Sequence, residues 1–285
     1  MRYCFLRFPQ GKMKALTLSY DDAPKEDIKM AQILDRYGIK CTFNLSNWIA
    51  PNTVHLTKEE IQTHLLDKGH EIAVHGADHI APGAADPCRF IADVLDCRKN
   101  LEDMYGLIIR GMAYPDTGIT KMHGYNNYET IRTNLKSMGI AYARSLGGDN
   151  NLFMIPSDFH AWMPTIRHKN PELMEYVRKF LSINETNVIS SHRYARLFYM
   201  WGHSFEFEHD NNWELLEEFC EAVSGKDDIW YATNIEIYDY VTAWYSMITS
   251  ADGKMVYNPT LVDLWMDVDG VLYSIPSGAT VCIEQ

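Results

Sequence analysis

The sequence predicts an α/β fold: a distorted (β/α)7-type barrel over residues 1–248, followed by a small antiparallel β extension over residues 249–285. Three observations predict it. Short apolar runs alternate with amphipathic helix-like segments through the first two-thirds of the chain, with brief connections, which implies parallel strands with helices outside. Polar residues recur where those strands end, the place at which α/β barrels carry their chemistry. After Ile248 the alternation gives way to short strands separated by a turn.

The elements follow in order. Ala15–Ser19 is a strand that ends at Tyr20-Asp21-Asp22-Ala23-Pro24, and Lys25–Tyr37 is a helix with Ile28, Ala31 and Leu34 on one face and Gly38 as its stop. Cys41–Leu45 is the next strand. Thr57-Lys58-Glu59-Glu60 has the form of a capping box, opening a helix that runs to Lys68 before Gly69. Glu71–Val74 is a strand that leads straight into His75. Helices are expected over Pro87–Tyr105, Tyr128–Met138, Pro171–Leu181 and Trp213–Val223, with a last one through Trp244. Between them Ile108–Ala113, Ala141–Ala143, Asn187–Ser191, Leu197–Trp201 and Ile229–Tyr231 are extended. In the tail, Leu261–Asp267, Val271–Ile275 and Thr280–Ile283 are strands, and Val268-Asp269-Gly270 supplies a turn.

Composition limits the functions available. The chain has 285 residues, 46% hydrophobic and 22% charged, which suits a globular protein with a sizeable core. Its 38 acidic against 26 basic residues argue against nucleic acid or an anionic membrane as the main partner. The six cysteines form no CxxC pair, so neither a zinc ribbon nor a redox motif is expected, and they fit scattered core thiols. No run is long enough for a transmembrane helix, and the N-terminus has no leader-like apolar stretch, so the expectation is a cytoplasmic protein. A homo-oligomer is compatible with the sequence.

Three strand ends carry residues suited to metal and acid–base chemistry. Asp21 and Asp22 are adjacent carboxylates, which alternation along a strand would point in different directions. A solvated turn with a helix cap is the plain alternative. His75-Gly76-Ala77-Asp78-His79 places two imidazoles four residues apart, the spacing that brings them to one side of a helical turn, and imidazole with carboxylate suits zinc and other divalent first-row metals. His203 follows an apolar run among aromatic residues, where imidazole is tunable as an acid or base; a hydrogen-bonded core histidine is the alternative. The aromatics Trp48, Trp162, Trp201, Tyr114, Tyr125 and Tyr199 serve mostly as core, with Tyr114 and Trp162 the candidates for pocket walls.

Together these residues resemble the polysaccharide deacetylase (NodB-homology) family, carbohydrate esterase family four, from about Ala15 to Trp244. Ser19-Tyr20-Asp21-Asp22-Ala23 matches the motif TFDDG, His75-Gly76-Ala77-Asp78-His79 matches H-[ST]-x-x-H, and Trp201-Gly202-His203 matches the closing histidine motif. The resemblance implies a barrel whose Asp22, His75 and His79 bind a divalent metal, zinc first, with cobalt, nickel or manganese as alternatives. It implies that Asp21 is the base for a metal-bound water, that His203 is the acid for the leaving amine, and that a backbone N–H near Tyr114 serves the oxyanion.

The chain departs from the family at three places. Gly76 stands where Ser or Thr is usual. The R-x-P-Y motif is only echoed by Arg110-Gly111-Met112-Ala113-Tyr114-Pro115, making Arg110 the candidate tether for Asp21. The fourth motif is echoed by Asp158-Phe159-His160-Ala161-Trp162, making Asp158 the candidate partner of His203. The chain looks like a divergent member, and the resemblance implies removal of N-acetyl or O-acetyl groups from a sugar or glycan. Hydrolysis of a non-sugar amide C–N bond and non-catalytic carbohydrate binding stay open. The extension is expected to pack on the barrel, with dimerisation or substrate contact as alternatives.

Overall fold

The strand Lys14–Asp21 is buried at every position and organises the molecule. Its alternation explains the mixed composition. Leu16, Leu18 and Tyr20 join the main hydrophobic core under the helices, while Thr17, Ser19 and Asp21 face inward and are tied by side-chain hydrogen bonds. Thr17 donates to Asn234 (2.8 Å) and Asn44 donates to Ser19 (2.7 Å). This is a computed structural model describing residues 3–47, 54–124, 126–147, 150–184 and 192–283. The expected strand Asn187–Ser191 and the aromatics Trp48 and Tyr125 lie outside the described residues.

The elements are β1 (Cys4–Arg7), β2 (Lys14–Asp21), α1 (Glu26–Arg36), β3 (Thr42–Leu45), α2 (Lys58–His64), β4 (Glu71–Val74), α3 (Pro87–Tyr105), β5 (Gly111–Ala113), α4 (Tyr128–Ser137) and β6 (Tyr142–Arg144). There follow β7 (Ile166–Arg167), α5 (Leu173–Ser182), β8 (Arg196–Gly202), α6 (Phe205–His209), α7 (Trp213–Val223), β9 (Ile229–Tyr231) and α8 (Asn234–Tyr245). The last five are β10 (Ile248–Thr249), β11 (Met255–Tyr257), β12 (Leu264–Val268), β13 (Val271–Ile275) and β14 (Thr280–Cys282).

The main sheet runs β6-β5-β4-β3-β2-β8-β7, entirely parallel, and β9 pairs with β2. One edge of β2 pairs with β8 along nearly its whole length. Its other edge is shared: β9 takes Lys14–Leu16 and β3 takes Ser19–Asp21. The sheet therefore curls. Trp162, just before β7, bridges to Arg144 of β6 and brings the two edges together. This is the α/β barrel the alternation predicts, with strands pointing one way and their carboxyl ends at one mouth.

The capping box read at Thr57 opens α2 with Glu60, and a second one that the sequence reading did not mark, Thr233 with Glu236, opens α8. Five pieces escape sequence reading: β1, the two-residue β7 and β10, the three-residue β11 and the five-residue α6. The extension is also not built from the tail alone. β1 pairs antiparallel with β12, which pairs with β13, while β10, β11 and β14 form a second small sheet. Leu6 and Phe8 from the N-terminus pack with Val256, Leu264 and Met266, so extension and barrel share one apolar cluster.

All six thiols are free; Cys41, Cys97 and Cys220 are buried, Cys4 is partly so, and Cys88 and Cys282 are exposed. Among the described residues no helix is long and apolar enough to cross a membrane.

Candidate active site

Asp21 is the last residue of β2 and is buried. Asp22 leaves the strand with a left-handed backbone (φ 78°), and this turn defeats the expected divergence of the two carboxylates. Both face the same imidazole: His75 Nε2 is 3.6 Å from Asp22 Oδ1 and 4.0 Å from Asp21 Oδ2.

His75 follows β4, held by its N–H to the Leu45 carbonyl (2.9 Å). Its Nδ1 lies 2.9 Å from the Ala113 carbonyl. A carbonyl only accepts, so Nδ1 carries the proton and Nε2 presents a lone pair to the carboxylates. Burial pushes this imidazole below its ordinary value against the pull of Asp21 and Asp22, which keeps it neutral, the form a metal needs.

His79 does not reach the site by helical spacing. The segment is a loop in which Gly76 (φ 77°) and His79 itself (φ 55°) are left-handed. It brings the two rings edge to face, with centroids 4.7 Å apart. His79 Nε2 is 3.8 Å from Asp22 Oδ1. One ligand atom from each of Asp22, His75 and His79 fits within 4.8 Å of the others. Asp22 Oδ1, buried and with no hydrogen-bond partner, faces both Nε2 atoms. Two imidazoles and an orphaned carboxylate oxygen are a donor set that fits a divalent first-row cation.

The partners of Asp21 are Arg144 and Asn44. Arg144, at the end of β6 and fully buried, donates from Nη2 to Asp21 Oδ2, and Asn44 donates to Oδ1 (2.8 Å). Burial pushes the Asp21 carboxyl up, but the Arg144 guanidinium, with His75, His203 and Asn44, outweighs it and holds the group below the ordinary range. The Arg144 guanidinium also lies 4.4 Å over the Trp201 ring.

Arg110 makes no such contact. It forms a two-pronged pair with Asp239 (3.0 and 2.6 Å), because it precedes β5 and lies at the opposite end of that strand from the mouth.

His203 follows β8 directly. Its Nε2 is 3.9 Å from Asp21 and 3.7 Å from Asp22, and its Nδ1 is 3.7 Å from Glu206 Oε2. Burial lowers its pKa, but Glu206 and the two aspartates prevail and raise it. Glu206, one turn on in α6, is itself held by Arg167 and faces His168 at 3.4 Å. Burial works against its charge, yet His203, Arg167 and His168 hold it at about 2.

Asp158 is occupied elsewhere. It caps the short turn at Phe159–Ala161, accepts from Tyr128 (2.6 Å) and the His160 N–H (2.9 Å), and forms an ion pair with Arg132 (3.1 Å). Tyr114 and Trp162 are fully buried and so do not form pocket walls. Tyr114 donates to the His160 carbonyl (2.7 Å), and Trp162 packs edge-on against Tyr142 and Tyr199. The Tyr114 N–H is committed to the Arg144 carbonyl (3.0 Å), so it is not available to an oxyanion.

Thus the structure assembles Asp21, Asp22, His75, His79 and His203, leaves out Arg110, Asp158, Tyr114 and Trp162, and adds Arg144, Asn44 and Glu206. One signal could have found the additions. Arg144 ends β6, Asn44 is next to last in β3, and Glu206 is three residues beyond His203, one helical turn away.

Over residues 9–143 the chain matches the family model described as polysaccharide deacetylase. Among solved structures, a provisionally assigned polysaccharide deacetylase from Mycobacterium smegmatis is 19% identical, covering 86% of this chain and 96% of that one, with a TM-score of 0.57. The Puue allantoinase is 13% identical over 81% of this chain and 91% of its own, with a TM-score of 0.56. A family 4 carbohydrate esterase from Streptomyces lividans, solved with acetate, is 12% identical over 76% and 91%, with a TM-score of 0.50. At these identities the likeness shows a shared fold. No curated protein matches the chain.

Proposed function

We propose, from the match of residues 9–143 to the polysaccharide deacetylase family model, that the protein is a member of that family and a metal-dependent hydrolase that removes acetyl groups from an N-acetylated or O-acetylated sugar or glycan. The match to the family model supports deacetylase chemistry in general. One observation carries the finer reading: Asp22, His75 and His79 converge at the barrel mouth, with Asp21 and His203 beside them.

Asp22, His75 and His79 would hold a divalent cation, with zinc the first candidate. When bound, the cation polarises the acetyl carbonyl and acidifies water. The remaining chemistry falls to the chain. Asp21 accepts a proton from the attacking water as its oxygen bonds to the acetyl carbon. Arg144 and Asn44 keep that carboxylate oriented and ionised beforehand. The bond from the carbonyl carbon to the sugar nitrogen or oxygen then breaks, and His203 delivers a proton to the leaving atom, releasing acetate. Glu206 orients the His203 ring and favours its protonated form.

The test pairs metal analysis of protein purified without chelator with an acetate-release assay on N-acetylated sugars. The expected result is bound divalent metal and acetate release, both lost in Asp22→Ala. A chain that binds no divalent cation, or an Asp22→Ala variant as active as the original, overturns the reading. Ammonia or a ring-opened product in place of acetate would move the substrate to a non-sugar amide. Glycan binding without turnover or metal would make the protein a binding module.

A further inference from the structure

The loop that carries His75 and His79 needs something to hold its shape. It forms no helix, and two of its residues, Gly76 and His79, have positive φ. A side chain in the left-handed region is strained, and such a conformation persists only where its surroundings enforce it.

The enforcing group comes from α3. The buried face of that helix is Phe90, Asp93, Val94, Cys97 and Leu101, so one carboxylate sits in an otherwise apolar row. Asp93 is only 4% exposed. A buried carboxylate is costly unless it accepts hydrogen bonds. The carboxylate and the backbone carbonyl of Asp93 each accept one from the loop, while the buried Oδ2 has no hydrogen-bond partner among the described residues. Its backbone carbonyl takes the Ala77 N–H (3.1 Å), and Oδ1 takes the Asp78 N–H (2.6 Å). These are the two residues immediately before His79.

Gly76 is shaped to the same carboxylate. A Cβ added there would stand 2.3 Å from Asp93 Oδ2 and 3.3 Å from its Cγ. Missing side chain and buried acid therefore occupy one another's space.

We propose that Asp93 is a positioning residue for the metal site: it holds the His75–His79 loop in the conformation that brings His79 opposite Asp22, and Gly76 makes room for its carboxylate. This rests on the metal reading given above.

Cobalt(II) titration of the full-length chain tests it, with visible absorption reporting coordination and thermal unfolding of the metal-free protein reporting fold. Asp93→Ala is expected to weaken cobalt binding by about 10- to 100-fold and to alter the cobalt spectrum. Asp93→Asn keeps an acceptor for the Asp78 N–H and is expected to restore the original spectrum and most of the affinity. If Asp93→Ala lowers only the unfolding temperature while cobalt affinity and spectrum stay as in the original chain, the inference is overturned. Should Asp93→Ala fail to fold, Gly76→Ala displaces the carboxylate without deleting it. Weaker cobalt binding then supports the proposal, and unchanged binding overturns it. An original chain that takes up no cobalt brings down the metal reading and this inference together, which separates that failure from one confined to Asp93.

Discussion

Two buried Arg–Asp pairs, one at the barrel mouth and one in the extension, are built from the same groups and finished differently. In the extension, Asp267 Oδ2 accepts from Arg7 (2.8 Å) and from two nitrogens of Arg193 (2.9 and 2.7 Å), while Oδ1 accepts the Gly270 N–H (2.9 Å). Arg7 also donates to the carbonyls of Leu6 and Arg193 (3.0 and 2.8 Å). This pair is close to saturated and ties β1 to β12. At the mouth, Arg144 reaches Asp21 through Nη2, but its buried Nε and Nη1 have no hydrogen-bond partner among the described residues. Asp22 Oδ1, His203 Nδ1 and Glu206 Oε2 nearby are equally unsatisfied. An unmade buried hydrogen bond costs roughly 1–3 kcal/mol. The extension spends its polar groups on cohesion, whereas the mouth leaves them unsatisfied where a substrate and a cation would meet.

That contrast can be broken by experiment. Asp21→Asn should cut acetate release by about 10²- to 10⁴-fold, the usual worth of a general base, measured as kcat on an N-acetylated sugar. Asp267→Asn should do the reverse. By leaving Arg7 and Arg193 without their carboxylate it should destabilise the fold by about 3–5 kcal/mol in urea titration, with turnover per folded molecule unchanged. Equal effects of the two variants on turnover would erase the distinction.

A third variant sharpens the mouth itself. Glu206→Gln should lower kcat by about tenfold, less than the ~10²-fold floor for deleting an acid–base group, because it removes the partner of His203 and not the acid.

The smallest expected effect lies at the foot of β4, the strand whose top leads into His75. Glu71 there accepts from Tyr142 (2.7 Å), Thr42 (2.7 Å) and the Ile235 N–H (2.9 Å), yet burial pushes its carboxyl from 4.5 up to about 7. A group whose pKa is raised by folding contributes stability that is full below its unfolded value and is lost as pH rises through the folded one. Unfolding free energy should therefore fall by about 2–3 kcal/mol between pH 4.5 and 7.5 on account of Glu71. Glu71→Gln should flatten that part of the curve; an unaltered slope would show that Glu71 is not its source.

The parts of the site legible in the sequence were those set by chain position. Asp21, Asp22, His75 and His203 stand where apolar strands stop, and a strand's end in a parallel barrel is a place at the mouth. The partners of Asp21 and His203 were misassigned to Arg110 and Asp158, for a physical reason. Arg110 and Arg144 are both arginines beside short strands, but one precedes β5 and the other ends β6, so they lie at opposite ends of the barrel. The expected strand Ile108–Ala113 placed Arg110 inside β5, and the expected strand Ala141–Ala143 stopped one residue short of Arg144. Asp158 had a suggestive aromatic context, but its oxygens were already taken by Tyr128 and Arg132 of α4, a helix distant in sequence.

By itself the sequence determined the α/β alternation, the capped helices, the turn at Asp269-Gly270 and the candidate metal ligands, because periodicity, caps and strand ends are local properties of the chain. Only the tertiary structure decided that β1 completes the extension, that Asp22 and Asp21 turn toward one imidazole, that Arg144 and Glu206 serve the two candidate catalytic groups, and that Asp93 fills the space above Gly76. Those outcomes depend on which side chains meet across distant strands and helices and on a few left-handed residues, and neither is written in local spacing.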